Sequence, residues 1–176
     1  MDKNNLRKEY LSIRNNVENK REKSEKIALK VIKEKDYIKA KTIAIYKSME
    51  NEVDTSQIII NAIMSGKTVA LPRVEGDELV FYKYSIHNKL IKSEFGVLEP
   101  EPIEENKISK EKIDLCIVPG VVFDKDNNRI GYGKGFYDRF LNHTKMKKMG
   151  ICFEEQISNE TINANIQDVK MNKVIF

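Results

Sequence analysis

The stretch 117-IVPGVVFDKDNNRIGYGKGFYDRFL-141 is the most informative part of this 176-residue chain for predicting its fold. It starts as an apolar run typical of a buried strand, passes three alternating glycines and ends in a helical pattern. In open α/β sheets, ligands bind at the carboxyl ends of the strands. Gly131, Gly133 and Gly135 let backbone N–H groups approach an anion, and a helix N-terminus adds partial positive charge. The stretch therefore predicts an α/β fold with an anion-binding loop.

The charged residues beside these glycines indicate that the anion is a phosphate. Lys134 lies inside the loop and Arg129 lies just before it. A Walker A loop needs Ser or Thr after its lysine, whereas Gly135 follows Lys134 here. The dinucleotide fingerprint needs G-x-G-x-x-G, whereas these glycines follow G-x-G-x-G. The sequence thus predicts a phosphate loop of another kind, and a glycine-rich turn without a ligand is the alternative.

A carboxylate follows the loop at the start of the predicted helix. Asp138 there is a natural partner for Mg²⁺, which prefers one or two carboxylates together with phosphate oxygens and water. An acidic residue in the first turn also stabilises a helix through its dipole. Both interpretations of Asp138 are open at this level.

Outward from this stretch, strand patterns alternate with helix patterns. The alternation predicts a mainly parallel sheet covered on both faces, in one domain over residues 1–176. We expect helices at 2–20, from Ser24 as a possible N-cap, at 56–65 before Gly66, and at 134–143. We expect strands at 42–46, 68–71 (stopped by Pro72), 78–84, 113–120, 149–153 and 173–176, an irregular connection at 85–110 and an exposed loop at 124–131.

The first predicted helix carries a row of cations beside its apolar stripe. Lys3, Arg7 and Arg14 are spaced so that they lie within about 40° of each other around the helix. A helix docked by its apolar face would hold these cations along the seam. The alternative is the solvated edge of an ordinary amphipathic helix.

Composition and charge exclude several classes of protein. The chain is 40% hydrophobic and 33% charged, which argues against disorder, and no run is long enough to span a membrane. The net charge of +4 suits an anionic ligand, but the basic residues are interleaved with acidic ones, so we expect no nucleic-acid partner. We expect small-molecule substrates and a monomer or a weak homodimer.

The two cysteines indicate buried free thiols. Cys116 and Cys152 each lie in an apolar run, far apart and without a second Cys or His at ligand spacing. Neither a disulfide framework nor a zinc site is expected. Because the N-terminus also has no apolar signal region, we expect a cytoplasmic protein.

The glycine loop resembles a family signature. The segment 129-RIGYGKGFYDR-139 is similar to R-x-G-x-G-K-G-[F/Y]-Y-D-R of the 5-formyltetrahydrofolate cyclo-ligases, also called methenyltetrahydrofolate synthetases. Other segments resemble the family in the same order along nearly the whole chain: Lys3 to Arg7 (K-x-x-x-R), 48-SMENEVDT-55, Pro72-Arg73, Phe95-Gly96, 119-PGVVFD-124 and 167-QDVKMNKV-174.

The resemblance implies a fold and a reaction. The implied fold is a single-domain three-layer α/β/α sandwich with a mainly parallel sheet, related to sugar-phosphate isomerases and CoA transferases. The implied reaction is the cyclisation of 5-formyltetrahydrofolate (folinate) to 5,10-methenyltetrahydrofolate, with ATP as co-substrate and Mg²⁺ as cofactor. ADP and phosphate are the other products, and the formyl group would pass through a phosphorylated (iminium phosphate) intermediate.

The resemblance also implies roles for individual residues. Lys134 would stabilise the transition state, together with Arg129. ATP would be bound by Lys3, Arg7, Arg129, Gly131, Tyr132, Gly133, Lys134, Gly135, Phe136 and Tyr137. The folate would be bound by Arg7, Lys47, Met49, Glu52, Phe95, Tyr132 and Phe136. Asp138 and Asp168 would bind Mg²⁺.

The chain departs from the family pattern at three positions. Tyr132 stands where the family often has Arg, so Arg129 and Lys134 would carry more of the phosphate charge. Val74 stands where an aromatic residue is common, so a pterin stacking contact would be missing. Asn172 stands where a second terminal acid is common, which favours Asp168 as the ligand.

Two other functions are compatible with the loop. A sugar-phosphate or CoA-type enzyme of related fold would use the same anion loop without ATP or folate. A non-catalytic folate- or nucleotide-binding protein would keep the pocket without the reaction. The 48–55 segment and the cationic first helix argue against the former, and the intact Lys134–Asp138 loop argues against the latter.

Overall fold

The computed structural model describes residues 2–176, which form a single domain around one large sheet. The helices are α1 (Lys3–Asn15), α2 (Lys20–Ile32), α3 (Lys35–Lys39), α4 (Ser56–Met64) and α5 (Phe136–Leu141). The strands are β1 (Thr42–Ile45), β2 (Thr68–Glu75), β3 (Glu78–Tyr84), β4 (Leu90–Lys92), β5 (Leu98–Pro100), β6 (Lys107–Ile108), β7 (Leu115–Val118), β8 (Val122–Asp124), β9 (Arg129–Ile130), β10 (Lys147–Ile151), β11 (Ile157–Ser158) and β12 (Lys173–Ile175). Within this part of the chain, the helices are all too short or too polar to cross a bilayer.

The central sheet has seven strands in the order β12-β10-β7-β1-β2-β3-β6. The first five strands are parallel to one another. At one edge, β3 pairs antiparallel with β2, and β6 pairs antiparallel with β3. The central strand β1 pairs Ile43 with Val69 on one side and with Leu115 on the other. The prediction of a mainly parallel sheet is confirmed. Continuous apolar runs suit these strands because both of their faces are covered.

Alternate side chains of each strand enter two separate cores. In β7, Leu115 and Ile117 pack with α2 and α4 on one face of the sheet. Cys116 and Val118 pack with Phe140 of α5 and its neighbours on the other face. This gives the predicted three-layer α/β/α arrangement. Both cysteines are buried and free, as expected.

The helix boundaries differ from the predictions at the N-terminal end. Helix α1 ends at Asn15, earlier than predicted. Ser24 is not an N-cap: α2 begins at Lys20 after Asn19, and Ser24 lies buried inside the helix. Its hydroxyl oxygen accepts a hydrogen bond from Asp54 N at 3.0 Å. The hydroxyl therefore serves a tertiary contact that sequence spacing does not reveal.

Pro72 does not stop its strand. Strand β2 continues to Glu75 and pairs Pro72 with Phe81 of β3. Its other neighbour, β1, pairs only with residues 68–70. The missing N–H of Pro72 is tolerated because the residue lies beyond the parallel part of the sheet.

Two segments predicted as irregular contain structure. The connection 85–110 holds the β4–β5 hairpin and the edge strand β6. The segment 124–131 is not an exposed loop throughout, since Asp124 and Arg129 are buried and β8 pairs with β9. The carboxylate of Asp124 accepts hydrogen bonds from the backbone N–H groups of Asp126, Asn128 and Ile162. Those bonds offset the cost of burying a charged side chain in a turn.

The remaining elements lie close to their predicted positions. Helix α4 covers 56–64 and is followed by Gly66 at φ +77°, as a glycine after a helix should be. Helix α5 covers 136–141 and is shorter than the predicted 134–143. Strand β3 matches 78–84, β10 covers 147–151 and β12 covers 173–175.

Candidate active site

A cavity of about 680 Å³ lies beyond the carboxyl ends of β1 and β7 and beside the second half of β2. Its volume is in the usual range of small-molecule sites. The structure brings every sequence-predicted site residue into its lining: Lys3, Arg7, Lys47, Met49, Glu52, Phe95, Arg129, Gly131, Tyr132, Gly133, Lys134, Gly135, Phe136, Tyr137, Asp138 and Asp168. Segments far apart in sequence therefore converge on one site, as expected for the strand ends of an α/β sheet.

The glycines of the loop make room for two arginines. Arg7 of α1 donates from Nε to the carbonyl oxygen of Gly131 at 2.8 Å. A Cβ atom at Gly133, whose φ is +95°, would lie 3.2 Å from Cζ of Arg7. A Cβ atom at Gly131 would lie 2.7 Å from Nη1 of Arg129. The alternation of glycines thus lets two guanidinium groups pack directly against the loop backbone.

Arg129 is fixed beneath the loop. Its Nη2 donates to Asp138 Oδ2 at 3.0 Å and its Nη1 donates to the carbonyl oxygen of Pro119 at 3.2 Å. Its Cζ lies 5.7 Å from the centre of the Tyr137 ring. The buried Nε atom has no hydrogen-bond partner within residues 2–176. The guanidinium is held in place and keeps one donor atom unused.

Lys134 is exposed, in contrast to the buried Arg129. The Nζ of Lys134 makes no hydrogen bond or ion pair within the described part of the chain. Only its backbone is tied down, because Arg139 donates from Nη1 to the carbonyl oxygen of Lys134 at 2.9 Å. The ammonium group is free to meet an anion in the cavity.

The two carboxylates predicted as metal ligands both line the cavity, and Asp138 contacts the segment that carries Asp168. Asp138 Oδ1 accepts from the N–H of Val169, the residue after Asp168, at 3.1 Å. Asp168 pairs with the ammonium group of Lys3. No cluster of three or more His, Cys, Asp or Glu side chains that could hold a metal occurs in residues 2–176. A metal here would therefore need additional ligands from a bound molecule and water.

Another part of the cavity contains a deeply buried carboxylate. Glu52 is 6% exposed, and its Oε2 accepts from the N–H of Met49 at 2.8 Å. Burial raises the pKa of Glu52, although the Met49 N–H and the guanidinium of Arg14 oppose that shift. Lys47 and the half-exposed Phe95 also line the cavity, and Lys47 Nζ donates to Ser56 Oγ at 3.0 Å.

Sequence reasoning missed two charged residues of this region. Glu99 of β5 lines the cavity, accepts from Val74 N at 3.2 Å and lies 3.7 Å from Nη1 of Arg73. The sequence did not indicate a role for Glu99, because segment 85–110 was predicted to be an irregular connection. Arg14 is buried behind the cavity, so the solvated-edge alternative does not apply to it. Its place in the cation row with Lys3 and Arg7 was the available signal.

Other lining residues had no assigned role, and one family-related position lies elsewhere. The cavity is also lined by Tyr46, Pro72, Val74, Leu79, Val97, Pro119, Gly120 and Ile130.

Asn172 is absent from the lining, and its side-chain oxygen instead accepts a hydrogen bond from Lys148 N at 2.8 Å. An acid at that position would not face this cavity, which leaves Asp168 as the acid of the C-terminal segment that does.

The arrangement suits the transfer of a charged group between two small molecules. Cations from α1 and from the glycine loop converge where a polyphosphate could lie, beside two carboxylates suited to Mg²⁺. The buried Glu52 can accept hydrogen bonds from a ligand that presents N–H donors. Such a site positions reactants and stabilises developing negative charge.

Comparison with known proteins identifies a family. The sequence model of the 5-formyltetrahydrofolate cyclo-ligase family matches residues 1–176. Mouse 5-formyltetrahydrofolate cyclo-ligase is 33% identical over 84% of this chain and 78% of its own. The NMR structure of Aquifex aeolicus 5,10-methenyltetrahydrofolate synthetase superposes with a TM-score of 0.86 at 32% identity, over 99% of this chain and 89% of that one. The Mycoplasma pneumoniae synthetase structure gives 0.79 at 30% identity, over 99% and 98%.

Proposed function

The chain belongs to the 5-formyltetrahydrofolate cyclo-ligase family, and from that premise we propose that it catalyses the reaction of that family. The substrate is 5-formyltetrahydrofolate, the product is 5,10-methenyltetrahydrofolate, and ATP is converted to ADP and phosphate. One observation carries the proposal: the phosphate loop with Arg129 and Lys134 and the buried Glu52 line the same cavity. The domain that performs this reaction spans residues 1–176.

The chemistry explains why ATP is needed. The formyl oxygen is a poor leaving group, so the γ-phosphoryl group is first transferred to it, and the bond from the γ-phosphorus to the bridging oxygen of ADP breaks. N10 of the folate then attacks the activated formyl carbon and loses its proton. The carbon–oxygen bond breaks, and phosphate leaves. Catalysis of such a transfer depends on positioning and on neutralising charge.

The cations of the cavity fit the transfer step. Lys134 is the free ammonium group that can follow the transferring phosphoryl group. Arg129 and Arg7 are held against the loop backbone, so they present preorganised donors to the phosphate oxygens. Lys3 lies beside Asp168 at the edge of this group and completes the phosphate-binding set.

Asp138 and Asp168 fit Mg²⁺ when the nucleotide supplies the remaining ligands. Two carboxylates with phosphate oxygens and water are the donor set that Mg²⁺ favours. When bound, the ion neutralises phosphate charge. Within residues 2–176 these carboxylates are paired with Arg129 and Lys3. A metal nucleotide bound there would lie beside both cations.

The folate is assigned to the part of the cavity around Glu52. The pterin ring presents adjacent N–H donors, which a carboxylate accepts well. Met49, Phe95 and Val97 supply apolar surface for the ring, and Lys47 supplies positive charge for the carboxylates of the glutamate tail. Val74 also lines the cavity, and it offers no aromatic face for stacking.

The proposal extends to the setting of the enzyme. The unpaired buried cysteines support a reducing compartment such as the cytoplasm. The interleaved surface charges support small-molecule substrates over nucleic acid. We also propose a monomer or a weak homodimer, which light scattering across a concentration series checks.

The first test is direct. The protein is mixed with 5-formyltetrahydrofolate and Mg·ATP, and the near-ultraviolet absorbance of the methenyl product is followed. We expect a rise that requires both ATP and Mg²⁺. If a folded protein gives no rise but binds the folate, the non-catalytic alternative replaces the proposal. If it binds no folate, the sugar-phosphate or CoA-type alternative replaces it.

Replacing one proposed metal ligand tests the Mg²⁺ site. In Asp168→Asn, we expect the Mg²⁺ concentration for half-maximal turnover to rise about tenfold, because one charged ligand is lost. The measurement is a Mg²⁺ titration at saturating ATP and folate. Asp126→Asn, which removes an exposed carboxylate outside the cavity, is the matched control. An unchanged Mg²⁺ dependence in Asp168→Asn removes Asp168 from the metal site.

A further inference from the structure

Arg14 is a buried cation at the back of the cavity, with no role in the proposed chemistry so far. It is 1% exposed. Its Nη1 donates to the carbonyl oxygen of Gly120 at 3.3 Å, and its Nη2 donates to the hydroxyl of Tyr132. Its Nε has no hydrogen-bond partner within residues 2–176. A buried guanidinium with an unused donor is costly, so a purely structural account leaves this residue unexplained.

The carboxylate closest to Arg14 is the one assigned to the pterin ring. Arg14 Nη1 lies 3.7 Å from Glu52 Oε1, and both side chains are shielded from solvent. In such a place a charge interaction is screened far less than at the surface. The separation is longer than a hydrogen bond, so Arg14 acts on Glu52 through its charge and leaves the carboxylate oxygens available to a ligand.

The groups around Glu52 come from several elements, and they differ in charge. The neutral ones are the N–H of Met49, the hydroxyl of Tyr132 in the loop, and the phenols of Tyr46 and Tyr137. Within the described residues, Arg14 of α1 is the cation that faces Glu52. The positive charge that favours the ionised form of Glu52 therefore comes from one residue of another element.

We propose that Arg14 is a positioning residue for the folate, which keeps the Glu52 carboxylate ionised and, with the Tyr132 hydroxyl, oriented toward the pterin ring. The inference rests on the proposed function. It adds a residue of α1 to the folate side of the cavity, whereas Lys3 and Arg7 of the same helix serve the phosphate side. Helix α1 thus carries cations for both substrates along the same stripe, two on the phosphate side and Arg14 on the folate side.

The physical reason is the opposing effect of burial and charge. Burial raises the pKa of Glu52, whereas Arg14, Met49 N–H and Tyr132 lower it. Without Arg14, the pKa of Glu52 rises further, so this group becomes protonated at a higher pH than in the wild type. A protonated carboxyl loses part of its capacity to accept hydrogen bonds from the pterin N–H groups. Folate binding then weakens below the raised pKa and recovers as the pH rises above it.

Two variants separate the effect of charge from the effect of packing. Arg14→Gln removes the charge, whereas Arg14→Lys keeps it. We expect the KM for 5-formyltetrahydrofolate in Arg14→Gln to rise about tenfold at pH values below the raised pKa of Glu52 and the deficit to shrink as the pH increases. The KM for ATP should change less than about twofold, and Arg14→Lys should stay within about threefold of the wild type. Arg21→Gln, on the exposed side of α2, is the control without an expected effect.

A second readout does not depend on turnover. A ¹³C NMR titration of the Glu52 carboxyl carbon in the ligand-free protein measures its pKa directly. We expect a higher pKa in Arg14→Gln than in the wild type and a smaller change in Arg14→Lys. Tyr132→Phe, at a partly exposed position, also raises this pKa and serves if Arg14→Gln does not fold.

The outcomes distinguish this inference from the proposed function. An unchanged Glu52 pKa, or a folate KM that rises equally in both Arg14 variants at every pH, overturns the inference and leaves Arg14 with a packing role. A wild-type protein that makes no methenyl product overturns the proposed function instead, and the NMR titration still decides whether Arg14 controls the ionisation of Glu52.

Discussion

Lys134→Ala is expected to lower kcat for methenyltetrahydrofolate formation by about 10³-fold while leaving the fold intact. Removing one preorganised group that stabilises transition-state charge typically has an effect of this order. Lys134 is the cavity cation whose side chain is exposed and whose ammonium group is unpaired within the described residues, so it is available to the γ-phosphoryl group. The measurement is steady-state turnover at saturating ATP and folate.

The controls for Lys134→Ala separate catalysis from stability. Because the side chain is exposed, we expect the free energy of unfolding to change by no more than about 0.5 kcal/mol, measured by denaturant titration. Lys125→Ala removes an exposed lysine from the nearby β8–β9 turn, outside the cavity, and should retain activity. Near-normal turnover in Lys134→Ala would refute its assigned role.

Glu52→Gln is expected to raise the KM for 5-formyltetrahydrofolate by about 100-fold with little change in the KM for ATP. The amide has nearly the same size, but it cannot offer two acceptor oxygens to the pterin N–H groups. A hydrogen bond to a charged group contributes about 1.5–3 kcal/mol, and a 100-fold change corresponds to about 2.8 kcal/mol. Steady-state kinetics with each substrate varied in turn gives both KM values.

The pH dependence of the same variant provides an independent check. Since burial raises the pKa of Glu52 above its ordinary 4.5, the wild-type carboxylate is lost as the pH falls through that raised pKa, and the folate KM rises there. Glu52→Gln has no such group, so this part of the pH profile should disappear. Glu50→Gln changes an exposed carboxylate two residues away and should keep it. An identical profile in Glu52→Gln contradicts the assignment.

Two predictions made from local composition were wrong because residues distant in sequence form hydrogen bonds with the polar groups concerned. The polar turn at 124–131 was expected to be exposed, but Asp124 is buried because a backbone N–H from Ile162, far along the chain, adds to those of its own turn. Ser24 was expected to cap α2, but Asp54 uses its hydroxyl. Local propensity is overridden in both cases by a long-range hydrogen bond.

The candidate site also contains some residues that neighbouring sequence predicts and others that only long-range contacts place. The phosphate loop and its following acid could be predicted because Arg129 to Asp138 are contiguous, so their spacing and glycine content already constrain the backbone. The contact between Asp138 and the segment of Asp168 could not be predicted, because it depends on how the C-terminal segment packs against α5. Glu99 was missed because nothing in an isolated hairpin sequence indicates that it folds against β2.

Arg14 shows both what the local sequence determines and what only the tertiary structure determines. Helical periodicity placed Lys3, Arg7 and Arg14 on one stripe, since 3.6 residues per turn is a local property of the chain. That stripe, the alternation of strands and helices and the glycine loop are all encoded by neighbouring residues. Which cation stays near solvent and which is buried against Glu52 depends on the surface that covers the helix. That surface comes from β8, β9, the turn at 154–156 and the glycine loop, so packing alone determines it, because burial and charge pairing arise between segments that are distant in sequence.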